Sequence, residues 1–249
     1  MKIGIIGLGL IGGSIFKDLK KLGYDVVGVS KSQTGENIYN DYSFLNGCEL
    51  VFVCSPMNKT LEILDELEKF LPPQTIVTDV CSLKKFVCQK HRPYKFIPSH
   101  PMAGTEKKGF ENSFEGMFNG AKWVVTPVFG EDEKLIEIIE KLGAIPVITT
   151  PEEHDNAVAL ISHMPMLISQ AIFKTAQDNK LALNIASSGF RDMTRLAMSN
   201  EEMANDMIVM NAQNIQNAIL KLYKSIGDLT NSNYLEQIKE IKSNRQKMF

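Results

Sequence analysis

The chain opens on an apolar run, Lys2-Ile3-Gly4-Ile5-Ile6, that passes directly into Gly7-Leu8-Gly9-Leu10-Ile11-Gly12-Gly13-Ser14. This order fits a short buried strand, a glycine turn and a helix start, and the Gly7-x-Gly9-x-x-Gly12 spacing gives each glycine its own task. Gly7 permits the tight turn, and Gly9 has no Cβ to keep the backbone away from a pyrophosphate. Gly12 lets the helix pack closely on the strand while the free N–H groups of its first turn face the anion. The segment Gly7, Leu8, Gly9, Leu10, Ile11 and Gly12 is therefore the expected cradle of a dinucleotide. Ile15, Phe16, Leu19 and Leu22 continue it as the apolar face of a helix, and Gly23 is its natural stop.

A chain of 249 residues holds one large or two ordinary domains, and its 44% hydrophobic and 22% charged residues are those of a globular protein. A net charge of -2 gives no reason to expect nucleic acid as a partner. No apolar run in the sequence approaches the ~20 residues that span a bilayer, and the N-terminal glycines interrupt any signal-peptide core, so no membrane partner is expected and the cytoplasm is the expected address. Cys48, Cys54, Cys81 and Cys88 show no paired spacing, which suits free thiols and no metal site.

Along the chain, Tyr24 to Val29 is the second predicted strand, and the residue that ends it selects the cofactor. A carboxylate there accepts from the ribose 2′-OH of NAD and repels a 2′-phosphate. The chain instead has Ser30-Lys31-Ser32, two hydroxyls and a cation, which favours NADP with NAD as the alternative. Residues 33 to 47 are too short and polar for a full helix and strand, so the crossover is truncated. Glu49 to Cys54 is a buried parallel strand emptying into Ser55-Pro56, a place for the cofactor. Asn58 to Leu71 has helical periodicity, and Thr75 to Thr78 is a strand. Asp79-x-x-Ser82-x-Lys84 leads into a short helix that Ser82 would cap, with Lys84 solvated or facing phosphate. Tyr94 to Ile97 is a strand that empties into a proline-bracketed loop carrying His100. Lys122 to Val125 and Ile145 to Ile148 are later strands, with a helix from Asp132 to Leu142 between them.

Beyond Pro151 the strand-like runs stop. Residues 152–177, 181–187, 201–226 and 233–247 are predicted helices, with Gly189 as a break. The expected organisation is a dinucleotide-binding domain over 1–150 and an all-α domain over 151–249, whose long apolar helices suit pairing with a second copy.

Strand-end loops on one edge of a parallel sheet bind ligands, which places Gly9, Ser55, Ser82 and His100 on a common rim. A neutral His100 imidazole there can take a proton from a substrate hydroxyl while hydride leaves the same carbon. Arg195 suits a carboxylate anchor, because a guanidinium binds carboxylates bidentately. His154-Asp155 near a helix start suggests capping, and His163, just before Met164-Pro165, is on its own a packed histidine.

The glycine turn, the Asp79-x-x-Ser82-x-Lys84 turn, Ser99-His100-Pro101-Met102-Ala103-Gly104-Thr105-Glu106, Ser162-His163-Met164-Pro165 and Gly189-Phe190-Arg191-Asp192-Met193-Thr194-Arg195 together resemble the prephenate/arogenate dehydrogenase family of tyrosine biosynthesis. The resemblance covers nearly the whole chain in the family's order. It implies an α/β fold, with a Rossmann-type doubly wound parallel sheet followed by a helical dimerisation domain. It implies oxidative decarboxylation of prephenate to 4-hydroxyphenylpyruvate, or of arogenate to tyrosine. His100 becomes the base for the ring hydroxyl, Ser82 a contact to that hydroxyl that orients the imidazole, and Arg195 the carboxylate binder. Glu106 and Asp192, with Thr105 beside them, join a polar network able to pair with Arg195, and His163 falls on the substrate side. The chain departs from some prephenate-using members at Met166, where they have a second histidine, which keeps arogenate open.

Overall fold

The computed structural model describes residues 1–105, 107–231 and 233–248. The first apolar run forms β1 (Lys2–Ile6), and the glycine turn delivers the chain into α1 (Leu10–Lys21). Gly7 has φ +85°, a left-handed conformation that a side chain would strain. Its N–H bonds the Val29 carbonyl at 2.9 Å. The helix ends at Leu22, with Gly23 in the left-handed conformation as its stop.

Strands β2 (Asp25–Val29), β3 (Ile38–Tyr39), β4 (Leu50–Val53), β5 (Ile76–Asp79) and β6 (Lys95–Phe96) join β1 in a six-stranded parallel sheet of order β3-β2-β1-β4-β5-β6. The order reverses between β1 and β4, the switch point where such sheets bind ligands. Register aligns the strand ends: Ile6 pairs with both Val29 and Val53, and Val53 pairs with Asp79. The residues that follow, Gly7, Ser30, Cys54 and Val80, therefore form one rim. The β2–β3 crossover contains no helix, as its length requires, and α2 (Met57–Leu67) covers the β4–β5 crossover.

Three expectations are corrected here. The segment after Ser82 does not form a helix beyond a single 3₁₀ turn at Val87–Gln89, so Ser82 caps nothing. His100 lies in the middle of a strand, β7 (Ser99–Pro101), which pairs antiparallel with β8 (Lys122–Val125). The later strands do not extend the first sheet: β7, β8 and β9 (Ile145–Ile148) make a second sheet, with α3 (Glu133–Lys141) between β8 and β9. Trp123 of β8 is fully buried, its ring edge-on to Phe52 of β4 at 6.2 Å and tilted on Phe118 at 5.1 Å. That packing fuses the two sheets into one core.

The helical half begins with α4 (Pro151–Val158), held by a capping box in which Thr150 and Glu153 satisfy each other's backbone N–H groups. The chain then passes through a widened π turn, Ala159–His163, into α5 (Met164–Ala176). Pro165 accounts for the widening. It has no N–H for the Ile161 carbonyl, and its ring crowds that carbonyl, so the helix loosens one turn earlier. The continuous run Pro151–Ala176 is long and apolar enough to cross a bilayer by length and composition, against the expectation from sequence. Its early residues Glu152 to Asp155 hide that length from a search for unbroken apolar runs. The helices α6 (Lys180–Asn184), α7 (Ser188–Met193), α8 (Glu201–Met210), α9 (Ala212–Asn231) and α10 (Tyr234–Met248) follow. Gly189 lies inside α7 and breaks nothing, whereas the single helix expected over 201–226 is broken at Asn211.

The glycine turn yields a contrast in stability. A Cβ on Gly12 would collide with the Gly7 carbonyl oxygen and lie 2.9 Å from the Cys54 Cβ, whereas a Cβ on Gly9 meets nothing within 4 Å. Gly12→Ala is expected to destabilise the fold by about 1–3 kcal/mol or more through overpacking. Gly9→Ala should melt within a few degrees of wild type and instead weaken dinucleotide binding. Thermal unfolding of the two variants side by side checks this.

Candidate active site

The rim offers an anion site before any ligand is considered. Gly9 is the N-cap of α1 and the helix has no side-chain cap and no acidic residue in its first turn. The first intrahelical bond of the turn is Gly13 N–H to Gly9 O, so the N–H groups of Leu10, Ile11 and Gly12 remain available beside the open space over Gly9. Free donors, a favourable helix dipole and room for close approach fit a pyrophosphate. Leu8, expected in this cradle, contributes its backbone there while its side chain is buried in the core. At the end of β2, Ser30 is buried, and its Oγ accepts the N–H groups of Ser32 (3.3 Å) and Gln33 (3.1 Å), which shapes the loop. Lys31 is exposed and has no partner among the described residues. Across the switch point, Ser55 Oγ lies 2.9 Å from Thr60 Oγ1, and Pro56 is the N-cap of α2.

The second part of the rim is a set of buried polar groups that joins the two halves of the chain. Asp79, at the end of β5, is completely buried. Its Oδ1 accepts the N–H of Ser99 at 3.3 Å and its Oδ2 the N–H of Cys81 at 3.0 Å. Lys84, expected at the surface, is also completely buried: its ammonium pairs with Asp79 and donates to the Ser99 carbonyl at 2.5 Å. The Ser99 hydroxyl donates to the Asp79 carbonyl (2.9 Å) and accepts from Trp123 Nε1 (2.9 Å) and Thr78 (2.7 Å). The residue immediately before His100 is thus fixed from every side.

His100 itself points toward the helical half. Its Nδ1 lies 3.0 Å from His154 Nε2, with the two rings edge-on at 5.2 Å. His154 Nδ1 in turn lies 2.8 Å from Asp155 Oδ1. Asp155 also accepts the backbone N–H groups of Lys84 (2.8 Å) and Lys85 (3.0 Å). These contacts fix the tautomers. A carboxylate only accepts, so His154 carries its proton on Nδ1 and presents Nε2 as an acceptor. His100 must then donate from Nδ1, which leaves the lone pair of its own Nε2 free. Burial, followed by His154, Lys84 and His163, pushes the His100 pKa well below the 6.5 of an ordinary imidazole, so it rests neutral. The sequence reading of His154-Asp155 as a simple cap is corrected: together they form a relay behind His100. The i,i+1 pair in a strongly polar helix start gave the only sequence signal.

His163, in the π turn, accepts from Asn211 Nδ2 at 3.1 Å through Nδ1, and its buried Nε2 has no partner among the described residues. Burial lowers its pKa to about 4, so its free nitrogen carries a proton to donate. Asn211 also donates to the Asp155 carbonyl at 2.9 Å. It occupies the α8–α9 break that the sequence did not reveal, and that break turns its amide inward.

Cys81 and Leu83, which flank Ser82, pack in one apolar cluster with Val158, Met166 and Met207, and Met102 and Leu196 lean on the same cluster. The segments carrying Ser82, His100 and Arg195 therefore converge. Ser82 is half-buried and forms no hydrogen bond among the described residues, so the partner of the His100 imidazole is His154. Arg195 starts the 3₁₀ turn Arg195–Met198 and is exposed, as are Asp192 and Thr105; Asp192 lies 3.7 Å from Arg191. Glu106 lies outside the described residues.

Two family models match the chain: the nucleotide-binding domain of prephenate dehydrogenase over residues 25–145, and the dimerization domain of prephenate dehydrogenase over residues 150–243. Prephenate dehydrogenase of Bacillus subtilis is 30% identical over 94% of this chain and 70% of its own length. The crystal structure of Synechocystis arogenate dehydrogenase superposes with a TM-score of 0.85 at 32% identity, covering 100% of both chains. That of Aquifex aeolicus prephenate dehydrogenase, in complex with hydroxyphenyl propionate and NAD+, gives 0.86 at 25% identity over 100% of this chain and 98% of that one. The doubly wound sheet, the glycine cradle and the helical half on which the His100 relay closes are thus those of a nicotinamide-dependent dehydrogenase, and the chain belongs to the prephenate dehydrogenase family.

Proposed function

We propose that this protein oxidatively decarboxylates prephenate to 4-hydroxyphenylpyruvate with NADP as the favoured hydride acceptor, through a site in which His100 is the base. The observation that carries the reading is the relay from Asp155 through His154 to His100, which leaves one imidazole nitrogen unprotonated beside the dinucleotide rim. The Bacillus relative's name points to the same substrate. Arogenate is the second reading. It is favoured by the name of the Synechocystis structure and by Met166, an apolar residue buried one helical turn beyond His163.

When bound, the nicotinamide takes up the hydride from the carbinol carbon of the substrate ring. The Gly7–Gly12 turn would hold its pyrophosphate and Ser55-Pro56 would border the nicotinamide end. Lys31 and Ser32 would meet a 2′-phosphate, and the lack of a carboxylate after β2 supports NADP over NAD. His100 Nε2 accepts the proton of the ring hydroxyl as the hydride leaves. The electron pair of the ring–carboxylate bond then enters the ring, carbon dioxide departs, the ring becomes aromatic and its oxygen takes the proton back from His100, so the protein has mainly to orient, shuttle one proton and exclude water. Ser82 contacts the same hydroxyl. Arg195 binds a substrate carboxylate, with Glu106, Asp192 and Thr105 as its polar surroundings and His163 as a further donor on the substrate side.

The reading also includes a homodimer built through the helical half, with the domain division at residue 150. Ile161, Leu181, Ile185, Met198, Val209 and Leu220 are each at least 66% exposed, more apolar surface than a monomeric helical domain leaves open, and the family model there is a dimerization domain. The cysteines among the described residues are free thiols, which suits a reducing, cytoplasmic compartment.

His100→Asn should leave NADP binding nearly unchanged and cut turnover by ~100-fold or more, as loss of a general base does; turnover like that of wild type would reject the role. His154→Gln should lower kcat with little change in KM, because it disturbs the relay and not the binding. Arg195→Ala should raise KM for the cyclohexadienol, and an unchanged KM would remove it as the anchor. Because His100 is held neutral, kcat/KM should stay level as the pH falls through 6.5. Offering each of the two substrates with each of the two cofactors, and following reduced nicotinamide by absorbance, should give the fastest reaction with prephenate and NADP+. A faster reaction with arogenate would establish the second reading.

A further inference from the structure

Lys84 is a buried charge to which the proposed chemistry gives no task. Lys84 is fully enclosed, and enclosing an ammonium costs several kcal/mol that a nearby carboxylate only partly returns. A well-packed apolar side chain would hold the turn as firmly. The positions of its bonds are therefore informative. Its ammonium pairs with Asp79 and donates to the carbonyl of Ser99, the residue bonded to His100. Its own backbone N–H donates to Asp155, the far end of the relay behind His100. A single residue thus touches the strand that carries the base and the carboxylate that orients it, from opposite sides.

Among the described residues, the charged or titratable groups around His100 come from three elements. Lys84 and Asp79 come from the turn after β5, His154 and Asp155 from α4, and His163 from the π turn. Asp79 is held by the Lys84 ammonium and by two backbone N–H groups, and Asp155 by its three donors. The Lys84 ammonium is the fixed cation of this set.

We propose that Lys84 is a positioning residue for His100, acting on it through the Ser99 peptide and through its buried charge. The peptide link fixes the direction in which the imidazole leaves β7. The charge opposes a second positive charge on the neighbouring ring, in the same sense as burial, and so keeps the base ready to accept a proton. This inference rests on His100 being the base. It adds that the Asp79–Lys84 pair, whose lysine was expected from sequence to be solvated or to face phosphate, belongs to the working site.

The test compares Lys84→Gln, the double variant D79N with K84Q, and Lys85→Gln as a control at the exposed neighbour. Histidine ring signals are titrated by NMR on the ligand-free proteins, and kcat/KM is measured against pH with prephenate and NADP+, or with arogenate if that proves the substrate. The expected result is that the His100 titration and the acid limb of kcat/KM move up toward the ordinary imidazole range in both Lys84 variants and stay in place in Lys85→Gln. A fall in kcat with both titrations unmoved would make Lys84 structural only and overturn the proposal. Failure of both Lys84 variants to fold while Lys85→Gln folds would overturn it as well. His100→Asn run in parallel separates the two claims: full activity in that variant defeats the base assignment, whereas loss of activity there with unmoved titrations in the Lys84 variants defeats only the role of Lys84.

Discussion

The carboxylate of Asp155 closes the molecule. It rises from the first helix of the helical half and accepts two consecutive backbone N–H groups, of Lys84 and Lys85, that belong to the sheet half. Those two amides are exposed for bonding because the segment after β5 does not become a helix. Had it done so, their hydrogen bonds would have been drawn into regular helical geometry. With its third bond, from His154, Asp155 determines which nitrogen of that ring carries the proton, and this in turn determines the tautomer of His100. The direction of one lone pair over the cofactor rim thus follows from an irregular loop meeting a helix start.

Around that contact the structure spends stability on polar burial. Asp79, Lys84, Ser99, His154, Asp155, His163 and Asn211 are all buried, and most of their hydrogen-bonding capacity is met within the protein. Ser99 illustrates the density of the arrangement: one hydroxyl donates to Asp79 and accepts from Trp123 and Thr78, so that the core tryptophan binding the two sheets together also steadies the strand of His100. Networks of this kind hold one geometry because any single rearrangement leaves several partners unsatisfied at once. The unpartnered Nε2 of His163 stands out against this background. A buried donor left unmet costs free energy unless another molecule supplies the acceptor.

Much of the sheet half was legible in the sequence because its signals are local. Apolar runs mark β1, β2 and β4, the Ile76-Val77 pair marks β5, Gly7 takes the left-handed conformation and Gly12 lies against the Gly7 carbonyl, and Gly23 and Gly143 end helices in the left-handed conformation. What escaped depends on distant partners. Lys84 looks like a solvated charge until Asp79, five residues earlier on a strand end, is seen to be out of reach of water. The second sheet exists because Trp123 finds Phe52 across the core, and no periodicity records that pairing. The break at Asn211 lies within an otherwise good helical pattern; it forms because the Asn211 side chain bonds Asp155 and His163 from α4 and the π turn. His100 and its motif were visible, but the partner that orients it lies 54 positions away.

In the proposed reaction, a base held so far from protonation has to remove a proton from an alcohol. The order of events resolves this. While the substrate hydroxyl is intact it is a very weak acid, and no histidine would ionise it. As the hydride departs, the oxygen takes on the character of a protonated ketone and becomes strongly acidic, so a weak base in the right place is sufficient. What matters is that the imidazole is neutral when the substrate arrives, a condition that burial and a nearby cation enforce. Once His100 had taken the proton in the proposed reaction, the same surroundings would penalise its charge. The bond to His154 Nε2 offers relief: passing the Nδ1 proton to that nitrogen moves the positive charge onto the ring in contact with Asp155. Under the proposed function the relay would therefore serve both ends of the step, fixing the tautomer before proton transfer and drawing the charge toward a carboxylate after it.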